Sequence, residues 1–226
     1  MKKNKLPTRK QLALRRLALA LITLLAVNHV FQCFFLLPMQ AVRHSEEAYG
    51  VHSTAVVKRR WLSEMQNSRL LYLCAGEETL SLWGVNFEFP MGWVSWEGGV
   101  VDCSDEKPLH ASWTYMANRR PHSTYMRDWE RQYHLFFCGR LDDWDICKLD
   151  IRISYEVSGE DGTFEPRQST WTVTDFPEKG GRRYFLAETV PEDLPMVSHY
   201  IQNIILTAYD RSGNIVAEQD LTDARL

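Results

Sequence analysis

Lys148–Ser158 reads KLDIRISYEVS. Leu149, Ile151, Ile153, Tyr155 and Val157 alternate with Asp150, Arg152, Ser154 and Glu156. A period of two sends successive side chains to opposite faces, so this stretch predicts a β-strand with one buried and one wet face. The turn Glu160-Asp161-Gly162 follows it, then the β-branched and aromatic run Thr170–Thr174, a second strand. Arg182–Thr189 reads as a third strand. Ile201–Tyr209 and Asn214–Leu221 flank the turn Asp210-Arg211-Ser212-Gly213 as a closing hairpin.

Upstream, Leu70–Cys74, Leu80–Phe89, Trp93–Trp96, Ser112–Met116 and Tyr133–Cys138 are shorter strand candidates, most of them bounded by Gly, Pro, Asp or Asn. Many short strands with no long amphipathic helix between them imply antiparallel sheets packed face to face. The expected fold is mainly β, an antiparallel β-sandwich whose last hundred residues show an immunoglobulin-type or fibronectin-type pattern. Such a sandwich takes about 100 residues, fewer than 67–226. Either one sandwich carries insertions at 86–130, or a small β unit over 67–130 precedes a sandwich over 131–226. Glu97-Gly98-Gly99, just after Trp96, is expected to be a loop.

The amino-terminal part has a different character. Of the 26 Lys and Arg residues, seven fall in positions 1–16, and no acidic residue precedes Glu46. The remainder carries 19 basic against 29 acidic residues. Leu17–Leu37 contains no charged residue. As a helix its 21 residues span about 30 Å at roughly 1.5 Å each, the thickness of a hydrocarbon core. The basic flank predicts residues 1–16 in the cytoplasm, 17–37 as a transmembrane signal-anchor, and 38–226 outside. Cleavage after Ala41 would place bulky Met39 where a small residue is needed, and Phe31 and Gln32 do not suit a lipoprotein cut before Cys33. The basic head is therefore read as a topology signal and not as a nucleic-acid arm. Asn28, His29 and Gln32 share one arc of the helix and form a candidate face for another membrane helix.

Residues 38–66 read as a stalk. Within it Ser53 is expected to cap a short helix over Thr54–Met65, with Val57, Trp61 and Met65 on one stripe and Lys58, Arg59 and Arg60 on the other. Cys74, Cys103, Cys138 and Cys147 lie beyond the apolar segment. Cys138 and Cys147 flank the short loop Gly139–Ile146 and form a candidate disulfide, a closure worth about 2–3 kcal/mol. The alternative is four buried thiols. The chain has no CxxC or HxxxH pair for zinc, and no GxSxG, P-loop, HExxH or GxGxxG. No metal, cofactor or catalytic residue is assigned.

Eight Trp residues exceed what a core of this size usually takes. Trp93 and Trp96 are the expected aromatic binding residues, since exposed aromatics on a β-domain anchor partners or stack on sugars. The expected function is a membrane-anchored, extracytoplasmic, non-catalytic binding or assembly domain acting on another membrane-anchored protein. Two alternatives stand beside it. One is a surface-glycan module, which needs a row of exposed Trp. The other is a hydrolase using the Asp142/Asp143/Asp145 loop with His134, which needs those groups to converge.

Overall fold

The computed structural model describes residues 8–31, 35–62, 68–89, 91–117, 133–158, 163–190 and 201–226. Two helices, α1 (Arg9–Phe31) and α2 (Pro38–Ala48), precede twelve strands. The strands are β1 (Ala55–Trp61), β2 (Leu70–Ala75), β3 (Thr79–Glu88), β4 (Gly92–Asp102), β5 (Leu109–Ala117), β6 (Tyr133–Leu141), β7 (Lys148–Ser158), β8 (Phe164–Val173), β9 (Glu178–Lys179), β10 (Arg182–Thr189), β11 (Ile201–Tyr209) and β12 (Ile215–Asp220). They form three four-stranded antiparallel sheets, ordered β1-β2-β3-β4, β5-β6-β10-β9 and β12-β11-β7-β8. Among the described residues α1 is the one helix long and apolar enough to cross a membrane, and none of that stretch is buried.

Strand β7 spans the alternating run and lies between β8 and β11. Leu149, Ile151 and Ile153 are fully buried, Tyr155 nearly so, and Arg152 is exposed. Together with Ile204, Leu206 and Ala208 of β11 they meet Leu109, Ala111 and Trp113 of β5, Leu135 and Phe137 of β6, and Phe185 of β10 in one core. The second and third sheets share that core.

The second sheet is covered on its other face as well. Phe136 and Cys138 of β6, Met116 of β5, and Tyr184 and Leu186 of β10 pack against Leu71, Leu73, Leu80, Leu82 and Val101 of the first sheet. The outer face of that first sheet, with Leu70, Tyr72, Cys74, Trp83 and Val85, is closed by Ala41 and Val42 of α2. Continuous apolar runs follow from this double coverage. All six residues of β2 are buried, and in β6 every residue after Tyr133 is. A strand covered on both faces has no wet side to alternate with.

Helix α2 starts where Pro38, lacking an N–H, occupies the first turn at no hydrogen-bond cost. The Gln40 side chain accepts from the Leu37 N–H (3.0 Å). A buried carboxylate keys the helix to the sheet. Glu46 is fully buried; its Oε1 accepts from the Ser81 hydroxyl (2.7 Å) and its Oε2 from Arg43 (2.7 Å).

Three local expectations are corrected. The apolar helix expected over Leu17–Leu37 is α1, Arg9–Phe31, and Phe35–Leu37 lie outside it, because Phe35 pairs with Gly92 and Leu37 stands at the N-cap of α2. The segment expected as a helix over Thr54–Met65 contains a strand, Ala55–Trp61, paired with β2 from Ala55↔Ala75 to Trp61↔Leu70, while residues 63–67 lie outside the described residues. Val57 and Trp61 fit a helical stripe by spacing alone, but β2 offers an open edge to pair with. Ser53 caps nothing there; its hydroxyl and carbonyl accept from Arg43 (2.7 and 2.5 Å). Glu97-Gly98-Gly99 is likewise strand, not loop, because β4 runs on to Asp102. Gly98 has φ 146°, and a Cβ there would lie 2.1 Å from the Leu82 carbonyl oxygen. Glycine is what lets β4 approach β3 so closely, beside a one-residue register slip between Gly84↔Glu97 and Val85↔Ser95.

Candidate functional site

The β3–β4 hairpin has two ends of opposite character. Ten residues of β3 separate them, about 30 Å at roughly 3.3 Å per residue.

At one end is the hairpin tip. Phe87 is 50% exposed, Met91 47% and Phe89 91%. Phe35 joins this tip by an isolated parallel bridge to Gly92. The Phe35 N–H donates to the Met91 carbonyl (3.3 Å), and the Trp93 N–H donates to the Phe35 carbonyl (2.8 Å). Gly92 has φ 79°, and a Cβ there would fall 2.3 Å from the Phe35 oxygen, so the bridge requires glycine. Leu36 and Leu37, next in the chain, are both exposed. Trp93 is half-buried, edge-on to Phe87 with ring centroids 5.8 Å apart. The side chain of Trp96 lies outside the described residues.

At the other end the β2–β3, β4–β5 and β6–β7 connections surround a cleft of about 810 Å³. Exposed Glu77, Glu78, Glu106 and Asp145 give its rim an acidic excess over Lys107, Arg140 and Arg182. Several of its charges serve the loops themselves. Arg140 is nearly buried; its Nε and one terminal nitrogen donate to Asp142 Oδ2 (2.8 and 2.5 Å), and it also reaches the Cys103 carbonyl (2.7 Å). Arg182 donates to the Glu77 carbonyl. The Asp145 N–H donates to Asp143 Oδ1 (2.8 Å), a local turn. Trp144 stands 57% exposed at the rim, with the Arg183 guanidinium 4.9 Å above its ring. Arg183 is itself fixed by the carbonyls of Ile146 (2.8 Å) and Asp143 (2.6 Å).

The histidine beside Asp142 is His110, not His134. His110 is 3% exposed, with Nδ1 3.2 Å from Asp105 Oδ1 and Nε2 3.2 Å from Asp142 Oδ2. The Nε2 contact is at ion-pair distance without hydrogen-bond alignment. Buried between two carboxylates, the ring ties the β4–β5 and β6–β7 connections together. His134 sits eight residues from Asp142 along β6, about 26 Å away at roughly 3.3 Å per residue. Its Nδ1 meets Glu188 Oε1 at 2.6 Å, and Glu188 also pairs with Arg60. That hydrogen bond, with the nearby Arg60 charge, holds the Glu188 carboxyl below its usual range. The convergence of His134 with Asp142, Asp143 and Asp145 required for a hydrolase is therefore not present. Spacing along the chain does not tell His110 from His134 here; only the β5–β6 register, His110↔Arg140, brings His110 beside this loop.

Among the described residues no group of His, Cys, Asp and Glu is arranged to hold a metal ion. Cys138 is fully buried on the face of β6 toward the first sheet and Cys147 is half-buried ahead of β7; both are free thiols, as are Cys74 and Cys103. Burial pushes Cys103 up to about 11 and Cys74 up to about 12, and raises Cys138 as well. Of the helix-face residues, Asn28 is half-buried within α1, while the side chains of His29 and Gln32 lie outside the described residues.

No family model, curated protein or solved structure matches the chain.

Proposed function

We propose that the chain is a membrane-anchored, extracytoplasmic binding or assembly domain that catalyses nothing. Helix α1 serves as a single-pass anchor with the basic amino terminus inside. The second and third sheets serve as the immunoglobulin-like sandwich, with the first sheet and α2 added on its far side. The partner is another protein at the membrane or in the envelope.

The carrying observation is the polarity of the β3–β4 hairpin. The anchor leads into one end, at Phe35, and the acidic cleft with Trp144 lies at the other, about 30 Å away. An exposed Trp held in place by a fixed guanidinium loses little entropy on binding, the property of an interface anchor. The acidic rim suits a basic segment of the partner. Trp93, at the anchor end, keeps an aromatic contact role there. A glycan reading would need a row of exposed Trp; Trp61 and Trp144 are the strongly exposed ones among the described residues, and they lie on separate elements.

A photo-reactive residue at position 145 of the full chain, beside Trp144 at the exposed rim, in native membranes, should give a protein adduct of defined mass that is absent from position 215 on β12. Glu78→Lys with Glu106→Lys should abolish it. Truncation of an interface anchor costs roughly 2 kcal/mol or more, so Trp144→Ala should weaken capture about 30-fold at 1.4 kcal/mol per decade. Equal labelling at 145 and 215 rejects this surface.

A further inference from the structure

We infer that the tip of the β3–β4 hairpin is a lipid-binding element that dips into the outer leaflet beside the anchor and fixes the orientation of the domain. This rests on the anchor reading of α1 and adds a second point of membrane contact.

The argument begins with chain length. Four residues take the chain from Phe31, the last residue of α1, to Phe35, at most about 14 Å at roughly 3.5 Å each. Phe35 is bonded on both sides of Gly92, through the Met91 carbonyl and the Trp93 N–H. The tip is thus held within one short span of the point where the chain leaves the apolar helix. What it presents there is apolar and turned outward: Phe89 is 91% exposed and Leu37 61%, with Leu36, Phe87 and Met91 beside them. Between Phe87 and Trp93 the single charged residue is Glu88.

A patch of this kind facing water is a liability that soluble surfaces avoid. Here its neighbour is set by covalent connection, and for a tethered group the bilayer is present at very high effective concentration. The shape also fits lipid. A hairpin tip of exposed Phe and Met, with Leu36 and Leu37 beside it, needs no complementary pocket in an acyl boundary. Trp93, with a half-buried ring behind the tip, occupies the headgroup level at which Trp concentrates. Two points of contact leave the domain one orientation, with the acidic cleft facing away from the membrane.

The test uses the full chain in lipid vesicles, with Cys33→Ser and Cys147→Ser as background. An environment-sensitive fluorophore is placed at Phe89→Cys or, as control, at Ile215→Cys, which is also exposed and lies on β12. Neither site carries the fold, since both side chains face solvent. Resistance of the chain to alkaline extraction is measured first. A chain that washes off overturns the anchor and this inference together. For an anchored chain, a label about 5–10 Å deep should be quenched by lipid-borne nitroxides and shielded about tenfold from aqueous iodide, with neither effect at position 215. Equal iodide access at 89 and 215 overturns the inference and leaves the anchor standing. Shielding at 89 in native membranes but not in protein-free vesicles also overturns it, and assigns the tip to a protein partner.

Discussion

Removing Arg43 should harm the fold more than removing Glu46, although Arg43 is the more exposed partner. The Arg43 side chain is 40% exposed and that of Glu46 is fully buried. Arg43→Ala leaves a carboxylate sealed between α2 and the first sheet with the Ser81 hydroxyl as its remaining side-chain partner. Stripping one partner from a buried pair costs about 3–5 kcal/mol. The partial exposure of Arg43 admits some water, so the lower end, about 3 kcal/mol, is expected. Glu46→Ala removes the buried charge itself. The Ser81 hydroxyl, 2% exposed, loses its acceptor, a cost of about 1–3 kcal/mol. Arg43 can then turn to water while keeping Ser53. A net loss near 1.5 kcal/mol follows, because the carboxylate no longer pays desolvation. The double variant should resemble Glu46→Ala, giving a coupling of about 3 kcal/mol, the whole cost of Arg43→Ala. Urea unfolding of the full chain in micelles, followed by Trp fluorescence, reads this directly. Tyr49 at the end of α2 lies edge-on to Trp83 at 5.3 Å, so α2 undocking has a local reporter. If Glu46→Ala is as damaging as Arg43→Ala, or the two costs simply add, the buried-carboxylate account is wrong.

Two further outcomes follow from titratable groups. Glu188 is held below its usual range by His134 and Arg60, so its contribution is present above the unfolded carboxyl pKa and is lost as pH falls through the lowered folded value; urea midpoints should decline on acidification below about pH 4.5, and Glu188→Gln should flatten that decline, whereas an unchanged slope would contradict the linkage. At pH 8 a maleimide should modify Cys147 while Cys74, Cys103 and Cys138 stay unreactive until urea unfolds the chain, because burial raises all three; loss of labelling at Cys147 that is restored by reductant would instead support its disulfide with Cys138.

The layered arrangement bears on which surfaces stay open. Both faces of the first two sheets are covered, so there the connections and hairpin tips are what remains accessible, while the third sheet keeps an open outer face with exposed Arg152, Gln168, Thr170 and Thr172. The chain also closes an edge with its own last residues. Trp113 bridges Arg225, its carbonyl accepts from the Leu226 N–H (2.8 Å), and its indole N–H donates to the Leu221 carbonyl (2.7 Å). An edge strand blocked this way is unavailable for pairing with other chains.

Local pattern alone determined a good part of this. Strands β7, β10 and β11 have the limits that alternation and turn residues set, and α1 is legible from an uncharged apolar run behind a basic head. These features are local, because a strand with one wet face, or a helix apolar all round, writes its environment into consecutive residues. Helix α2 was not legible: residues 38–66 read as a stalk, and Pro38–Ala48 shows its role only when Ala41 and Val42 meet the first sheet. Other features needed partners far away in sequence. Ala55–Trp61 suits a helical stripe or a strand by spacing, and only the edge of β2 decides between them. His110 stands beside Asp142 because β5 pairs with β6 in one register; a slip of one residue would turn it to the other face. The joining of Phe35 to the β3–β4 tip, and the separation of that tip from the acidic cleft, exist only once the sheets are stacked. No local periodicity encodes which ends of which strands meet, since that is set by the burial of whole faces against one another.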